Sequence, residues 1–231
     1  MKPILIIDPG HGGNDPGGGS NVHWKEKDFN LDISLYQYKR FNDLGIKTML
    51  TRDKDITIGP TERAKIVRES GATYCISNHI NAGGGEGAET IHSIYSKPTL
   101  ARTILDEIIK SGQKERRVFV RTLPNNPKRD YYFMHRETGV VETTIIEYGF
   151  ADNANDTERL LANWEKYAES VVLAFCLYVG HTYIPLSTKY THWAEQYYNS
   201  LLKKGVNISE KRFDDPVTRG EIFALLDRIV K

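Results

Sequence analysis

Three apolar runs in this chain each finish on a polar side chain, and segments of helical periodicity lie between them. They are Ile4-Leu5-Ile6-Ile7-Asp8 ahead of Pro9-Gly10-His11, Tyr74-Cys75-Ile76-Ser77-Asn78-His79, and Thr144-Ile145-Ile146-Glu147. Continuous apolar runs suit strands covered on both faces, as parallel strands are. Strands alternating with helices imply an α/β fold, a mostly parallel sheet with helices on both faces. In such a sheet the carboxyl ends of the strands share one edge, where ligands gather. His11, His79 and Glu147 are therefore expected at a common edge.

The same reading predicts strands over residues 4–8, 46–50, 73–77 and 141–147, with an edge strand at 91–95. Phe29, Ile33, Tyr36 and Phe41 mark one face of a first helix ending near Gly45. A second helix opens at Pro60, turns Ala64 and Val67 inward and stops at Gly71, and further helices are expected over 100–109 and 155–179. Near Gly180 the periodicity fades. Residues 1–180 read as the first, larger domain, 181–189, with Pro185, as a linker, and 190–231 as a small all-α unit of two helices. Thr218-Arg219-Gly220-Glu221 has the form of a capping box for the second of these. A unit of that size makes a marginal core alone, so it is expected to lean on the first domain or on a second copy.

Thirty-one Lys and Arg stand against 30 Asp and Glu, which argues against a nucleic-acid partner held by a broad basic field. Cys75 and Cys176 each sit in an apolar run and read as small buried hydrophobes. No run is long enough for a membrane span, so no membrane insertion is expected. The first residues reach Asp8 after an apolar stretch too short for a signal peptide. The expectation is a chain made in the cytoplasm, which something else must release if its substrate lies outside the membrane.

A catalytic zinc commonly takes three protein ligands and leaves a fourth position open. His11, His79 and one acid would make such a set. Spacing leaves that acid open among Glu26, Asp15, Asp28, Glu86 and Glu89, and no His-Glu-x-x-His helix is present. Glu147 closes an apolar strand, where an unpaired carboxylate is costly to bury. Beside an activated water it would serve as general base and then general acid. The structural alternative pairs it with Arg136 or Arg63. His23, His92, His135, His181 and His192 lack the strand-end setting and read as structural. The glycines of residues 10–20 form neither a dinucleotide fingerprint nor a P-loop, and fit a loop that presents a ligand.

Taken together, Asp8-Pro9-Gly10-His11-Gly12-Gly13, Glu26, Ser77-Asn78-His79-Ile80-Asn81-Ala82, Gly87-Ala88-Glu89-Thr90 and Ile146-Glu147-Tyr148-Gly149-Phe150 resemble the zinc-dependent N-acetylmuramoyl-L-alanine amidases of the amidase-3 family. The resemblance covers about residues 1–180. It implies zinc held by His11, Glu26 and His79, Glu147 as the catalytic glutamate, and peptidoglycan as substrate, cut between N-acetylmuramic acid and L-alanine through a zinc-activated water. Arg136 and Asn81 are implied substrate contacts. The chain departs from the family at Val140-Val141-Glu142, where a proline is usual, and at Asn78 beside the histidine. In residues 190–231, His192-Trp193-Ala194-Glu195, Gly205-Val206, Phe213 and Pro216-Val217-Thr218-Arg219-Gly220-Glu221-Ile222-Phe223 resemble a single S-layer-homology module. That resemblance implies Trp193, Arg219 and Glu221 as cell-wall-binding candidates and a secondary cell-wall polymer as partner. A bacteriophage endolysin released through a holin pore is the setting these features suggest, a host lysis enzyme the nearest variant of it. A zinc carboxypeptidase-like peptidase and a non-catalytic wall-binding protein are the alternatives.

Overall fold

The computed structural model of the chain describes residues 4–186, 194–206, 213 and 215–229. The chain divides into two compact units, Met1–Tyr183 and Ile184–Lys231. In the first, the elements run β1 (Leu5–Pro9), α1 (Glu26–Asp43), β2 (Thr48–Leu50), α2 (Pro60–Glu69), β3 (Tyr74–Asn81), β4 (Ala88–His92), α3 (Thr99–Lys110), β5 (Glu115–Phe119), β6 (Thr122–Leu123), β7 (Asn126–Asp130), α4 (Phe133–Arg136), β8 (Glu142–Phe150) and α5 (Ala154–Val179). Six strands form one sheet in the order β2-β1-β3-β8-β4-β5. β2, β1, β3 and β8 are mutually parallel; β4 is antiparallel to β8 and parallel to β5.

Alternation along the strands sends successive side chains to opposite faces. Leu5, Ile7, Ile76, Ile146 and Tyr148 face a core built with Phe29, Ile33 and Phe41 of α1, Ile104 of α3, and Val171 and Phe175 of α5. Ile6, Cys75, Ile91 and Ile145 face a smaller core closed by Val67 of α2 and Met134 of α4. Each such fully buried aliphatic or aromatic side chain contributes about 1.5–3 kcal/mol. The expected α/β architecture, with helices on both faces, is what these residues build. The two cysteines are free and buried.

Helix boundaries follow local chemistry. The Asn153 side chain accepts from the Asp156 amide at the start of α5, and Gly180, at φ 68°, ends it in the left-handed region. Asn78, the odd neighbour of His79, points to the opposite face of β3. There its amide donates to Ser34 and Gln37 at 2.8 Å each and accepts from the Tyr148 hydroxyl at 3.0 Å. A buried polar group so fully partnered fixes how α1 sits across β3 and β8.

Three differences from the sequence reading stand out. β3 continues to Asn81, so His79 lies within the strand rather than beyond it. The strand expected at the edge over 91–95 is β4, which starts three residues earlier, at Ala88, and lies inside the sheet because β5 pairs outside it. β5 is Glu115-Arg116-Arg117-Val118-Phe119, a charged sequence that masks a strand while suiting an exposed edge. The β6–β7 hairpin and the single turn of α4 carry too short a pattern to be read.

The second unit contains α6 (Glu195–Lys203) and α7 (Arg219–Ile229). Thr218 and Glu221 form the capping box: the Glu221 carboxylate accepts from the Thr218 amide at 2.8 Å, and the Thr218 hydroxyl oxygen accepts from the Glu221 amide at 3.3 Å. Tyr198 and Phe213 meet edge to face. Trp193 lies outside the described residues, as does part of the expected linker. No helix among the described residues is long and apolar enough to cross a membrane.

Candidate metal centre

The carboxyl ends of β1 and β3 and the start of α1 bring His11, Glu26 and His79 together. One ligand-capable atom from each lies within 4.8 Å of the others, the only such trio among the described residues. Glu26 Oε1 is 3.1 Å from His11 Nε2 and 3.1 Å from His79 Nδ1. Bonds of 2.0–2.1 Å to a tetrahedral ion imply donor separations of roughly 3.3 Å, so the spacing suits a zinc-sized cation. The other nitrogen of His11 meets Asp15 Oδ2 at 2.7 Å, the outer carboxylate that metal-bound histidines usually have. Two imidazoles, one buried carboxylate and an outer acid thus fit a divalent metal.

Electrostatics point the same way. Burial opposes ionisation of Glu26, yet His11 and His79 hold its carboxyl far below the usual carboxylate range. Burial also opposes charge on His11, but Glu26 and then Asp15 outweigh it and raise that imidazole above an ordinary histidine. A buried anion flanked this closely by rings is a preformed cation seat.

The loop carrying His11 is pinned by groups that spacing did not disclose. His11 itself has φ 62°, uncommon for a side chain other than glycine. Arg63 donates to the His11 carbonyl at 2.5 Å and to the Pro9 carbonyl at 2.7 Å. Arg52 donates to the carbonyls of Pro9 at 3.1 Å and Gly10 at 3.0 Å. Arg63 is anchored in turn on buried Asp8 at 2.6 Å, which also accepts from Thr51 and Ser77. Two of the loop glycines have a spatial reason. A Cβ on Gly10 would lie 2.2 Å from the His79 ring, and one on Gly17 would lie 2.4 Å from Glu26 Oε2. One arginine two residues beyond β2 and one within α2 are too generic a signal to read as loop clamps.

Glu147 on β8 is the register partner of His79 on β3 and of Glu89 on β4. The row continues to Arg117 on β5. Paired positions share a face, so these four side chains cross the sheet side by side. Glu147 Oε2 is buried without a hydrogen-bonding partner. Its carboxyl is pushed well above the usual range, by burial first and then by the charges of Glu26 and Glu89. The salt-bridge alternative for Glu147 does not hold: Arg63 pairs with Asp8. Arg136 donates to the carbonyls of Asp130 and Tyr131 and meets Glu137.

The remaining candidates are placed as follows. Asn81 donates to Glu89 at 2.9 Å and lines a cleft of about 460 Å³ with Glu147. Arg136 is not among the residues lining that cleft. Of the acids left open by spacing, Asp28 is exposed, Glu86 pairs with Lys114 and Arg159, and Glu89 is buried against Arg116 and Arg117. His135 is buried, and burial brings it down to about 4, in keeping with a neutral structural ring. In the second unit the Glu221 carboxylate is occupied in the cap, and Arg219 begins α7.

The family profile Amidase_3, N-acetylmuramoyl-L-alanine amidase, matches residues 5–176. N-acetylmuramoyl-L-alanine amidase CwlM of Bacillus licheniformis is 34% identical over 161 residues, covering 68% of this chain and 60% of the relative. The sporulation-specific N-acetylmuramoyl-L-alanine amidase of Bacillus subtilis is 30% identical over 161 residues, covering 68% and 59%. The chain thus spans about three fifths of the length of these two curated relatives. Among solved structures, the N-acetylmuramoyl-L-alanine amidase from Clostridium difficile 630 superposes with a TM-score of 0.65 at 26% identity, over 78% of this chain and 97% of that one.

Proposed function

The chain belongs to the N-acetylmuramoyl-L-alanine amidase family Amidase_3, and from that premise we propose that it hydrolyses the amide joining N-acetylmuramic acid to L-alanine in peptidoglycan, with zinc held by His11, Glu26 and His79. The observation that carries this reading is the strand register setting Glu147 beside His79, an acid–base group next to a three-donor cation seat. Bound there, zinc would supply a Lewis acid for the scissile carbonyl and acidify a water. Glu147 takes the proton from the attacking water and delivers it to the departing alanine nitrogen. Asp15 orients His11, and Arg52 and Arg63 hold the loop that presents it. Asn81 is a proposed substrate contact at the cleft wall. Arg136 would have to exchange its carbonyl partners for substrate, which makes it the weaker of the two.

The test is digestion of purified Gram-positive walls, with products identified by mass spectrometry. Stem peptides beginning at L-alanine and intact glycan strands are expected. Release of single terminal amino acids would indicate a peptidase, and intact walls a binding protein.

We further propose that the second unit holds the enzyme on a secondary wall polymer and that the setting is lysis from within, as an endolysin dependent on a holin. An amidase unit joined to a small helical unit that exposes Val217 and Phe223 supports this assignment. Trp193→Ala and Arg219→Ala are expected to lower retention on sedimented walls by severalfold. Lysis of an expressing Gram-positive host is expected only when a holin is co-expressed. Unchanged retention, or lysis without a holin, contradicts the respective part.

A further inference from the structure

The cleft that contains Glu147 has an unusual far wall. Arg116, Arg117 and Arg121 all line it, together with Phe119, Phe150 and Tyr132. Each guanidinium lies over an aromatic ring: Arg116 at 4.7 Å from the Phe150 centroid, Arg117 at 4.0 Å from Phe119, and Arg121 at 3.8 Å from Tyr131. Stacking of this kind covers the flat face of the group and fixes its direction, leaving the N–H edges to bind.

The charges do not cancel. Glu89 is the one acid on this wall besides Glu147, and it is already shared: Arg117 Nε reaches it at 2.6 Å, Arg116 Nη1 at 3.2 Å and Asn81 at 2.9 Å. Arg121 forms no ion pair among the described residues; it stacks on Tyr131 and hydrogen-bonds the Tyr132 side chain. A guanidinium carries five N–H donors, so one shared carboxylate leaves most of the donors of three arginines unengaged. Oriented, uncompensated guanidiniums at a cleft wall match carboxylates, which they bind in bidentate fashion.

The position of Glu147 says which half of the substrate reaches them. On the amidase reading, on which this inference rests, the acid–base group must touch the departing amine. The amine carries the peptide, so the peptide lies on Glu147's side of the scissile bond. His11 and Asp15 instead line a separate, smaller space of about 120 Å³ with Ile58, Pro60, Phe133 and Met134. Along the row His79–Glu147–Glu89–Arg117, adjacent strands are about 4.8 Å apart, so Arg117 stands two strands, roughly 10 Å, beyond the proton donor. That is about three residues of extended peptide.

We propose that the arm of the cleft formed by Arg116, Arg117 and Arg121 is a subsite for an acidic peptide, and that free carboxylates on the residues following the alanine are read there. Arg121 is the member that makes its carboxylate contact with the substrate alone; Arg116 and Arg117 do so while also holding Glu89. The enzyme therefore discriminates between stem peptides with free and with amidated carboxylates.

The test is calorimetric titration of the whole chain with an N-acetylated alanyl tripeptide bearing two carboxylates, against the same peptide with both amidated. Wild type is expected to bind the diacid roughly ten- to a hundredfold more tightly, the range for a charge-assisted contact. Arg121→Gln should shrink that ratio to about threefold or less, whereas Lys39→Gln, an exposed charge on α1 paired with Asp43, should leave it unchanged. Arg121→Gln is the informative variant because it strands no buried acid, as loss of Arg117 would. Equal binding of diacid and diamide, an unaltered ratio in Arg121→Gln, or no binding of the diacid at millimolar concentration would overturn the subsite. So would inorganic phosphate displacing the diacid at equal concentration, since the arm would then be a general anion site. Peptide binding needs no turnover. Intact walls alongside a preserved diacid preference would sink the amidase reading and leave the subsite standing.

Discussion

Glu147→Gln is expected to lower kcat/KM on wall fragments by on the order of a hundredfold to ten-thousandfold while leaving the fold intact. On the proposed mechanism the carboxyl carries protons, and glutamine cannot carry one. The fold should survive because Glu147 Oε2 has no hydrogen-bonding partner to lose. Stability should even move the other way in chelator-treated protein. The folded carboxyl sits well above its ordinary value through burial and the charges of Glu26 and Glu89. A raised acid is stabilising to neither state below the unfolded value near 4.5; above it, ionisation of the unfolded chain draws stability down until the folded group also ionises. Glutamine has no such slope. Thermal denaturation from pH 4 to 8 should therefore show the variant equal to wild type at the acid end and at least as stable at pH 7 to 8. A variant that loses activity and melts lower at pH 8 would mean that Glu147 is a structural residue, and its role in proton transfer would fall.

How far the sequence disclosed this site depends on which side chains stand at the ends of apolar runs. His79 and Glu147 were legible because apolar periodicity located both strands, and their register in β3 and β8 then set them side by side. His11 was legible as the first polar group beyond β1. Glu26 was not singled out by spacing, since the loop before α1 could have brought several acids to the same edge; only resemblance to a family pointed to it. Asp15, one of the acids that spacing leaves open as a ligand, stands behind one, on the far nitrogen of His11. No periodicity in the sequence marks the arginine arm. β5 is a charged edge strand, and the hairpin after it is too short for any period to show. Arg52 and Arg63 are unmarked for a related reason: they bind backbone carbonyls, which leave no trace in the spacing of side chains.

Removal of metal is expected to lower the melting temperature and to abolish hydrolysis, both restored by zinc. At a thousandfold excess over its dissociation constant, a ligand bound only by the folded chain stabilises it by about 4 kcal/mol. For a chain of this size each kcal/mol corresponds to about 2–4 °C, so the increment should be on the order of 10 °C. Its pH dependence follows from the protons the metal must displace. In metal-free protein the His11 imidazole is raised by Glu26 and Asp15 against the opposing effect of burial. Its charged form therefore stabilises the metal-free fold below the ordinary histidine range, and that contribution fades as pH rises through the raised value. The increment from zinc should thus be small near pH 5 and grow through pH 7 to 8. Two variants separate ligand from support. Glu26→Gln removes a donor from the trio and should reduce the increment to about 2 °C or less. Asp15→Asn leaves all three donors in place and weakens only the bond that orients His11. It should cost about ten- to a hundredfold in metal affinity, and saturating zinc should recover the full increment. An increment that survives Glu26→Gln, or that shrinks as pH rises, would place the metal elsewhere.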